Sequence, residues 1–299
     1  MSSSFINNAA NSGGGIVWSG ANGILIGCNL TGNTAINSNG GGVLWYYGGS
    51  NGYLSNSIFI NNTANSSGGG IVWSGANGIL TSSSFIGNTA NSNGGAINWL
   101  WGNNGLLSNS IFINNTANSS GGGIYWSGNN GTISGSSFTG NTANSGGGVF
   151  WAWVTEGILT GSSFTGNTAI RSGGGADLRG TNCTISDSTF IDNNARWAGG
   201  AVYWEGNNGT VSSSTFTRNT DTVSSAVYWK NIGLMIDCSF INDKWIKNNG
   251  IYAEKNLTLK GGNGIVNINN QGNLSGISIV VLNNETYYYP PNTNINFTK

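Results

Sequence analysis

The chain contains no histidine and few charged residues: among its 299 residues there are 10 Lys plus Arg and 10 Asp plus Glu, or 7% in total. Without histidine, Ser-His-Asp and Cys-His catalysis and histidine-based metal sites are excluded. The formal net charge is zero, so we expect no nucleic-acid partner, because such partners are usually bound by a basic surface. All charged residues lie from Glu156 onward, and residues 1 to 155 must remain soluble through Ser, Asn and Thr.

Cysteine, proline and long apolar runs are equally scarce. The three cysteines Cys28, Cys183 and Cys238 are odd in number and scattered, so we expect neither a disulfide framework nor a zinc site, and no cofactor. Cys28 and Cys238 lie two residues before the aromatic position of their coils, where other coils carry Ser or Thr, so we expect these two to be small fillers. The longest apolar stretch, 279–282, is far short of the roughly 18 residues of a membrane span. The chain does not start with a signal peptide, and its first residues, from Met1, lie in the middle of a repeat. We therefore expect a fragment that lacks its signal and anchor.

A short phrase recurs ten times at intervals of 24 to 29 residues: an aromatic residue, two variable residues and then Asn. Self-similarity at such a period is typical of repeat architectures. Leu30 replaces Phe in the second copy, and Asp243 replaces Asn in the last. The copies span Phe5–Asn8, Leu30–Asn33, Phe59–Asn62, Phe85–Asn88, Phe112–Asn115, Phe138–Asn141, Phe164–Asn167, Phe190–Asn193, Phe216–Asn219 and Phe240–Asp243.

Two further phrases lie between these copies: small-small-aliphatic-x-Trp, as at 69–73, and Asn-Gly followed by an aliphatic pair, as at 77–80. Residues i and i+2 of a strand share a face, so the aliphatic and Trp columns are predicted to point inward. Gly, Asn, Ser and Thr disfavour helix. These patterns predict an all-β fold, a single-stranded parallel β-helix of about ten three-strand coils of roughly 26 residues, with a short β tail.

Identical columns one coil apart should form ladders along the rod. Phe and Trp are predicted to fill the interior, and each Asn carboxamide is predicted to bond the next one. Asp243 accepts hydrogen bonds but does not donate them when ionised, which suits a terminating rung. The residue between the aliphatic and Trp columns varies and tolerates Asn and Asp, so it is predicted to face outward.

The repeat pattern ends near residue 263, so we predict a β-helix domain over 1–263 and a β tail over 264–299. Within the tail, 277–289 reads as a hairpin with a polar turn. This segment resembles the opening strands of an immunoglobulin-like module.

The alternation of F-x-x-N with G-G-[AG]-[IV], as in Phe85–Asn88 followed by Gly94–Ile97, resembles the repeats of the polymorphic outer membrane protein family. The charge-poor, Asn- and Ser-rich composition resembles adhesin-like surface proteins of methanogenic archaea. The resemblance covers residues 1 to about 260. It implies a right-handed β-helix at an extracellular cell surface and a role in attachment to glycans or proteins of a host or neighbouring cell. The translocating barrel of bacterial members has no counterpart in this sequence.

Two functions from different classes follow. The first is a non-enzymatic, adhesin-like surface module or stalk. The alternative is a polysaccharide-binding or polysaccharide-degrading β-helix, which as an enzyme would need clustered carboxylates. Charges cluster in coils seven to nine, but Arg179, Glu205 and Lys230 share one column with alternating sign, as do Asp192 and Arg218, which indicates ordinary cross-strand pairs. We therefore predict no catalytic residue and no metal site.

The outward column is the candidate ligand-binding surface, because several of its members are aromatic and an exposed apolar stripe often marks an interaction site. The alternative, that aromatic residues are there because they suit strands, stays open. Asp177 lacks a partner in its own column. The candidate site residues are Tyr125, Phe150, Asp177, Tyr203, Tyr228 and Tyr252. We further expect end-to-end self-association through the uncharged first coil.

Overall fold

A computed structural model shows that the chain forms a parallel β-helix; it describes residues 3–46, 48–222, 226–241, 243, 251–253, 257–260, 278–282 and 285–289. Four parallel sheets run along the rod, three with ten strands and one with eight. The first eight coils pass through all four sheets, and each strand within a sheet pairs with the equivalent strand of the adjacent coil. Within the described ranges, no helix is long and apolar enough to span a membrane. The predicted fold class is confirmed.

Two of the sheets carry the Phe and Trp columns, and they are called the Phe sheet and the Trp sheet. The strands of the Phe sheet are Ser4–Ile6, Asn29–Thr31, Ile58–Ile60, Ser84–Ile86, Ile111–Ile113, Ser137–Thr139, Ser163–Thr165, Thr189–Ile191, Thr215–Thr217 and Ser239–Ile241. Those of the Trp sheet are Ile16–Trp18, Val43–Trp45, Ile71–Trp73, Ile97–Trp99, Ile124–Trp126, Val149–Trp151, Ala176–Leu178, Val202–Trp204, Val227–Trp229 and Ile251–Ala253.

The third sheet, here the Leu sheet, follows the Asn-Gly turns. Its strands are Ile24–Ile26, Tyr53–Ser55, Ile79–Thr81, Leu106–Ser108, Thr132–Ser134, Ile158–Thr160, Thr184–Ser186, Gly209–Ser212, Gly233–Ile236 and Leu257–Lys260. The middle residue of each strand alternates inward, as at Leu80 and Ile133, which are fully buried. These inward apolar side chains form one wall of the core, while the residues on either side of them in each strand point away from it.

A fourth sheet was not predicted, because the sequence pattern indicated three strands per coil. It lies directly after the Asn column and consists mostly of Thr-Ala pairs, with Ala inward. Two residues are too few to show a period of two, which is why the pattern concealed it. The strands of this Thr-Ala sheet are Ala9–Ala10, Thr34–Ala35, Thr63–Ala64, Thr89–Ala90, Thr116–Ala117, Thr142–Ser145, Thr168–Ser172 and Asn194–Ala195.

The core consists of two aromatic ladders. From Phe59 to Phe240, successive Phe rings stack with centroids 4.7 to 5.1 Å apart. The stacked Trp rings from Trp18 to Trp151, and the pair Trp204 and Trp229, lie 4.3 to 5.5 Å apart. Both spacings follow from the distance between neighbouring strands. The inward assignment of both columns is confirmed.

The predicted Asn ladder is present, and it is fully buried from Asn33 to Asn219. Asn115 illustrates a rung: its Nδ2 donates to Phe85 O and to Asn141 Oδ1 at 3.0 and 2.9 Å, and its Oδ1 accepts from the backbone N and from Nδ2 of Asn88. The ladder ends at Asp243, whose Oδ1 accepts from Asn219. Burial raises the pKa of Asp243 to about 6.

In the Asn-Gly turns the two residues have different roles. The Asn carries the positive φ, 52° at Asn130. The glycine supplies space, since a Cβ at Gly131 would lie 2.5 Å from Cε2 of Trp126. In the one described coil where Leu178 replaces Trp, the registered turn position is Cys183 instead of glycine. A smaller inward side chain therefore permits a larger turn residue.

The cysteines are buried and free, as small fillers would be. Cys28 and Cys238 lie in a column of buried serines, where the backbone N of one coil donates to the serine Oγ of the next, at 3.1 Å from Cys28 to Ser57. Burial raises the pKa of the Cys183 and Cys238 thiols to about 11. These thiols are therefore poor nucleophiles at neutral pH.

Three of the predictions concern the two ends of the chain: a C-terminal hairpin, a domain boundary and self-association through the first coil. The predicted hairpin is present, because Ser278–Leu282 pairs antiparallel with Glu285–Tyr289. The predicted domain boundary at 263/264 lies outside the described residues and stays a prediction. In the first coil, Phe5 and Trp18 are only partly buried against the core. Self-association through this coil likewise stays a prediction.

Candidate functional site

The outward column of the Trp sheet is directed away from the core, but most of its described side chains are buried. Val72, Phe150 and Tyr203 are 2%, 4% and 4% exposed, and Asp177 is fully buried. The prediction of an exposed stripe is therefore wrong for most of its length; Val17 is exposed and Tyr125 is half-buried.

The physical reason is the corner that enters the Trp sheet. Its first glycine has positive φ, 64° at Gly146, and folds the chain back against the outward column, so that a Cβ there would lie 2.8 Å from Cβ of Phe150. The corners stack from coil to coil and form a wall along one side of the column. The column is thus the floor of a groove and not an open stripe.

The groove is a concavity of about 310 Å³ over coils four to seven. Tyr125 and Phe150 stack on its floor, with ring centroids 5.4 Å apart and planes 4° apart. Trp153 borders one side and is 70% exposed. Uncharged polar side chains border the other side, namely Asn93, Ser119, Ser120, Asn144 and Ser145. Two arginines, Arg171 and Arg179, complete the lining.

Asp177 lies below this surface and is held by two neighbours. Its carboxylate accepts from Arg179 Nε and Nη2 at 3.0 and 3.2 Å, and from Ser172 Oγ at 2.6 Å. Burial raises the pKa of Asp177, while the hydrogen bonds from Arg179 and Ser172 oppose that rise. The two-pronged contact fixes the orientation of the guanidinium. Asp177 has no partner in its own column, as predicted. Its partners are Arg179, two residues further along the chain, and Ser172, at the corner that precedes the strand.

Arg179 is further enclosed by aromatic rings. Its Cζ lies 4.9 Å from the ring centroid of Phe150 and 5.2 Å from that of Trp153. Such contacts stabilise a cation and restrict its side chain. The guanidinium is therefore held in one place at the edge of the groove.

The predicted ladder of alternating charge is confirmed. Glu205 lies between Arg179, at 3.7 Å from Nε, and Lys230, at 2.6 Å from Nζ. Asp192 and Arg218 form a separate bidentate ion pair with two N–O distances of 2.7 Å, and both side chains are exposed. Hydrogen bonding to Arg218 lowers the pKa of Asp192. These carboxylates are all engaged with cations. In the described part of the chain, no three His, Cys, Asp or Glu residues group as metal ligands would.

The structure places five of the six predicted site residues in two aromatic stacks and one ion pair. Tyr125 and Phe150 line the groove, and Asp177 lies beneath its end. Tyr203 and Tyr228 stack on each other at 5.2 Å and are covered by Trp197, 5.9 Å from each. They belong to a small separate cluster with Ala198. The backbone of Tyr252 pairs with that of Tyr228, but its side chain lies outside the described residues.

Sequence reasoning did not identify Trp153, Arg171 or Ser172 as part of this surface. The contact between Asp177 and Arg179 could have been found, because residues i and i+2 share a face of a strand. Trp153 and Arg171 lie on segments that border the sheet, and the repeat pattern does not reveal how close those segments come to it.

This architecture is matched by a family model, right-handed β-helix region, over residues 122–289. Because the match covers more than half of the chain, the chain belongs to that family, and its β-helix is right-handed. Residues 109–125 match the Chlamydia polymorphic membrane protein repeat, which confirms the resemblance read from F-x-x-N and the glycine corner. Together these matches indicate a surface-type β-helix protein. No curated protein and no solved structure matches the chain.

Proposed function

We propose that this chain is a non-enzymatic, adhesin-like module of an extracellular cell surface, and that it attaches to glycans of a host or neighbouring cell through the groove. The observation that carries this proposal is the combination of a stacked aromatic floor and a largely exposed Trp153 with a polar rim. Ligand sites typically combine aromatic surface with a few convergent polar groups.

A glycan suits this groove better than a protein does. Sugar rings have apolar faces that stack on aromatic side chains, and hydroxyl groups that bond amides and hydroxyls such as Asn93, Asn144 and Ser145. A second exposed indole, Trp101, occupies the position equivalent to Trp153 two coils earlier and is 61% exposed. The two indoles are therefore about 10 Å apart along the rod, a separation that an extended glycan chain would bridge.

The cell-surface part of the proposal is supported by the match to the polymorphic membrane protein repeat. That repeat match includes Tyr125, so the matched segment reaches the floor of the groove. The uncharged polar composition of the first half also suits a stalk that is built by stacking identical coils.

The experiment is a screen of immobilised glycans with the purified chain, followed by attachment of protein-coated beads to cells. We expect binding that Trp153→Ala weakens at least tenfold, because a stacking aromatic anchor typically supplies more than about 1.4 kcal/mol. The matched control is Ile111→Ala, which removes a side chain that is 43% exposed on the Phe sheet. Equal binding by the two variants would contradict the assignment of the groove.

The enzymatic alternative is tested in the same samples by assaying for new reducing ends or unsaturated products. The burial of Asp177 beneath Arg179, where no sugar reaches it, supports the non-enzymatic reading. Reproducible turnover that Asp177→Asn abolishes would overturn it.

A further inference from the structure

The groove lies where the uncharged first half of the chain meets the charged second half. Its lining contains two arginines, Arg171 and Arg179, and no Asp or Glu. The carboxylate bonded to Arg179, that of Asp177, is fully buried. The second carboxylate near Arg179, that of Glu205, is bonded to Lys230. The electrostatic character of the groove therefore depends on how completely each arginine is neutralised.

Arg179 is neutralised but well oriented. Nε and Nη2 are bonded to Asp177, and Nε also approaches Glu205, whose other oxygen binds Lys230. These four charges cancel. No hydrogen bond engages Nη1 among the described residues, and 22% of the side chain is exposed. Asp177 is thus a positioning residue: it holds the guanidinium between two rings, so little side-chain entropy is lost when Nη1 donates to a ligand.

Arg171 is not neutralised. It lies on the strand Thr168–Ser172 of the Thr-Ala sheet and is exposed. Within the described ranges no carboxylate forms an ion pair with it, whereas Arg179 and Arg218 both have such partners. The groove consequently carries one positive charge in excess, at the polar rim that faces Arg179 across the aromatic floor.

We propose that the groove binds an anionic glycan, in which a carboxylate or sulfate group on a sugar ring pairs with Arg171 and accepts from Nη1 of Arg179 while the ring stacks on the exposed indole of Trp153. Planar guanidinium groups suit both anions, since they donate two hydrogen bonds side by side. This inference rests on the proposed function, because it names the class of glycan that the groove takes.

The experiment measures the affinity of the full chain for three oligosaccharides of equal length: one of galacturonic acid, one of sulfated galactose and one of neutral galactose. We expect at least one acidic probe to bind about tenfold more tightly than the neutral one at low salt. That preference should shrink between roughly 0.01 and 0.15 M salt, because the Debye length falls from about 30 to about 8 Å. The first two probes distinguish a carboxylate from a sulfate as the recognised group.

Arg171→Gln should abolish the preference for the acidic probes. The matched control Arg218→Gln removes the same charge from an exposed pair on another face and should retain the preference. Because Arg179→Gln alone would strand a buried carboxylate, the second variant is the double substitution Asp177→Asn/Arg179→Gln, which should also reduce the preference. Unchanged circular dichroism of each variant confirms that it folds.

The outcomes separate this inference from the proposed function. Equal affinity for acidic and neutral probes, or a preference that survives Arg171→Gln, overturns the anionic assignment while glycan attachment through the groove stands. Failure of every oligosaccharide to bind, together with attachment to cells that Trp153→Ala does not change, overturns the proposed function itself.

Discussion

The pairing of Trp with glycine across each Asn-Gly turn leads to a compensation experiment. The indole of Trp126 packs against Gly131, where an added Cβ would lie 2.5 Å from both Cε2 and Nε1. The coil with Leu178 in the Trp column has Cys183 at the registered position, and Cys183 is 1% exposed. Gly131→Ala should therefore be destabilising alone and less so in the presence of Trp126→Leu.

The magnitudes follow from the burial of both partners. Trp126→Leu removes part of a fully buried side chain and its hydrogen bond to Gly128 O, so we expect a loss of about 2 to 5 kcal/mol. Gly131→Ala forces a buried ring to move, which costs about 1 to 3 kcal/mol. The double variant relieves that overlap, so its loss should be smaller than the sum of the single losses by about 1 to 2 kcal/mol.

The measurement is chemical denaturation followed by circular dichroism, because removing an indole alters the fluorescence signal. The control cycle combines Trp126→Leu with Gly78→Ala, whose added Cβ would meet Trp73 two coils away. Distant sites should add. If the Trp126 and Gly131 substitutions are as additive as the control pair, glycine is not required there by the space that the indole occupies.

Three further predictions concern the ladders. Asn115→Ala removes four buried hydrogen bonds and should lower the free energy of unfolding by about 2 to 6 kcal/mol. The control Asn118→Ala, in the same coil, breaks one exposed contact of 3.4 Å and should change the denaturation midpoint little; similar losses of stability in the two variants would refute the ladder's importance. Phe138→Ala should cost about 3 to 5 kcal/mol, since the ring is fully buried, and an unchanged midpoint would contradict its inward packing. Because burial raises the pKa of Asp243 from 3.8 to about 6, the folded state binds the proton more tightly, so this group's contribution to stability is lost as pH rises from about 4 to 6; Asp243→Asn should flatten that slope in urea denaturation, and an identical slope would refute it.

The groove illustrates how a repeat fold acquires a local surface. The outward column varies from coil to coil, with an aliphatic residue at Val72 and an aromatic one at Phe150, and the corner covers both. Around Phe150 the bordering segments change, with Trp153 on one side and Arg171 on the other. The Phe and Asn ladders continue unbroken past the groove while the segments beside the Trp sheet vary.

The amino-acid sequence by itself determined the period, the inward Phe and Trp columns, the Asn ladder and its end at Asp243. These features are contacts between equivalent residues one coil apart, so aligning the repeats is enough to place them. The same alignment revealed the charge ladder of Arg179, Glu205 and Lys230, because neighbours in a column are neighbours in space.

Only the tertiary structure decided what happens between columns. It showed the two-residue Thr-Ala strands, the burial of the outward column under the glycine corners, and the hydrogen bond from Ser172 to Asp177. Each of these depends on how closely a turn runs beside a sheet in the same coil. That lateral distance is set by backbone dihedrals such as the positive φ of Gly146, and not by the repeat period. Aligning the repeats identifies the residues that neighbour a given residue in the coils before and after it. The residues beside it in the same coil, and with them the groove, are known only from the folded structure.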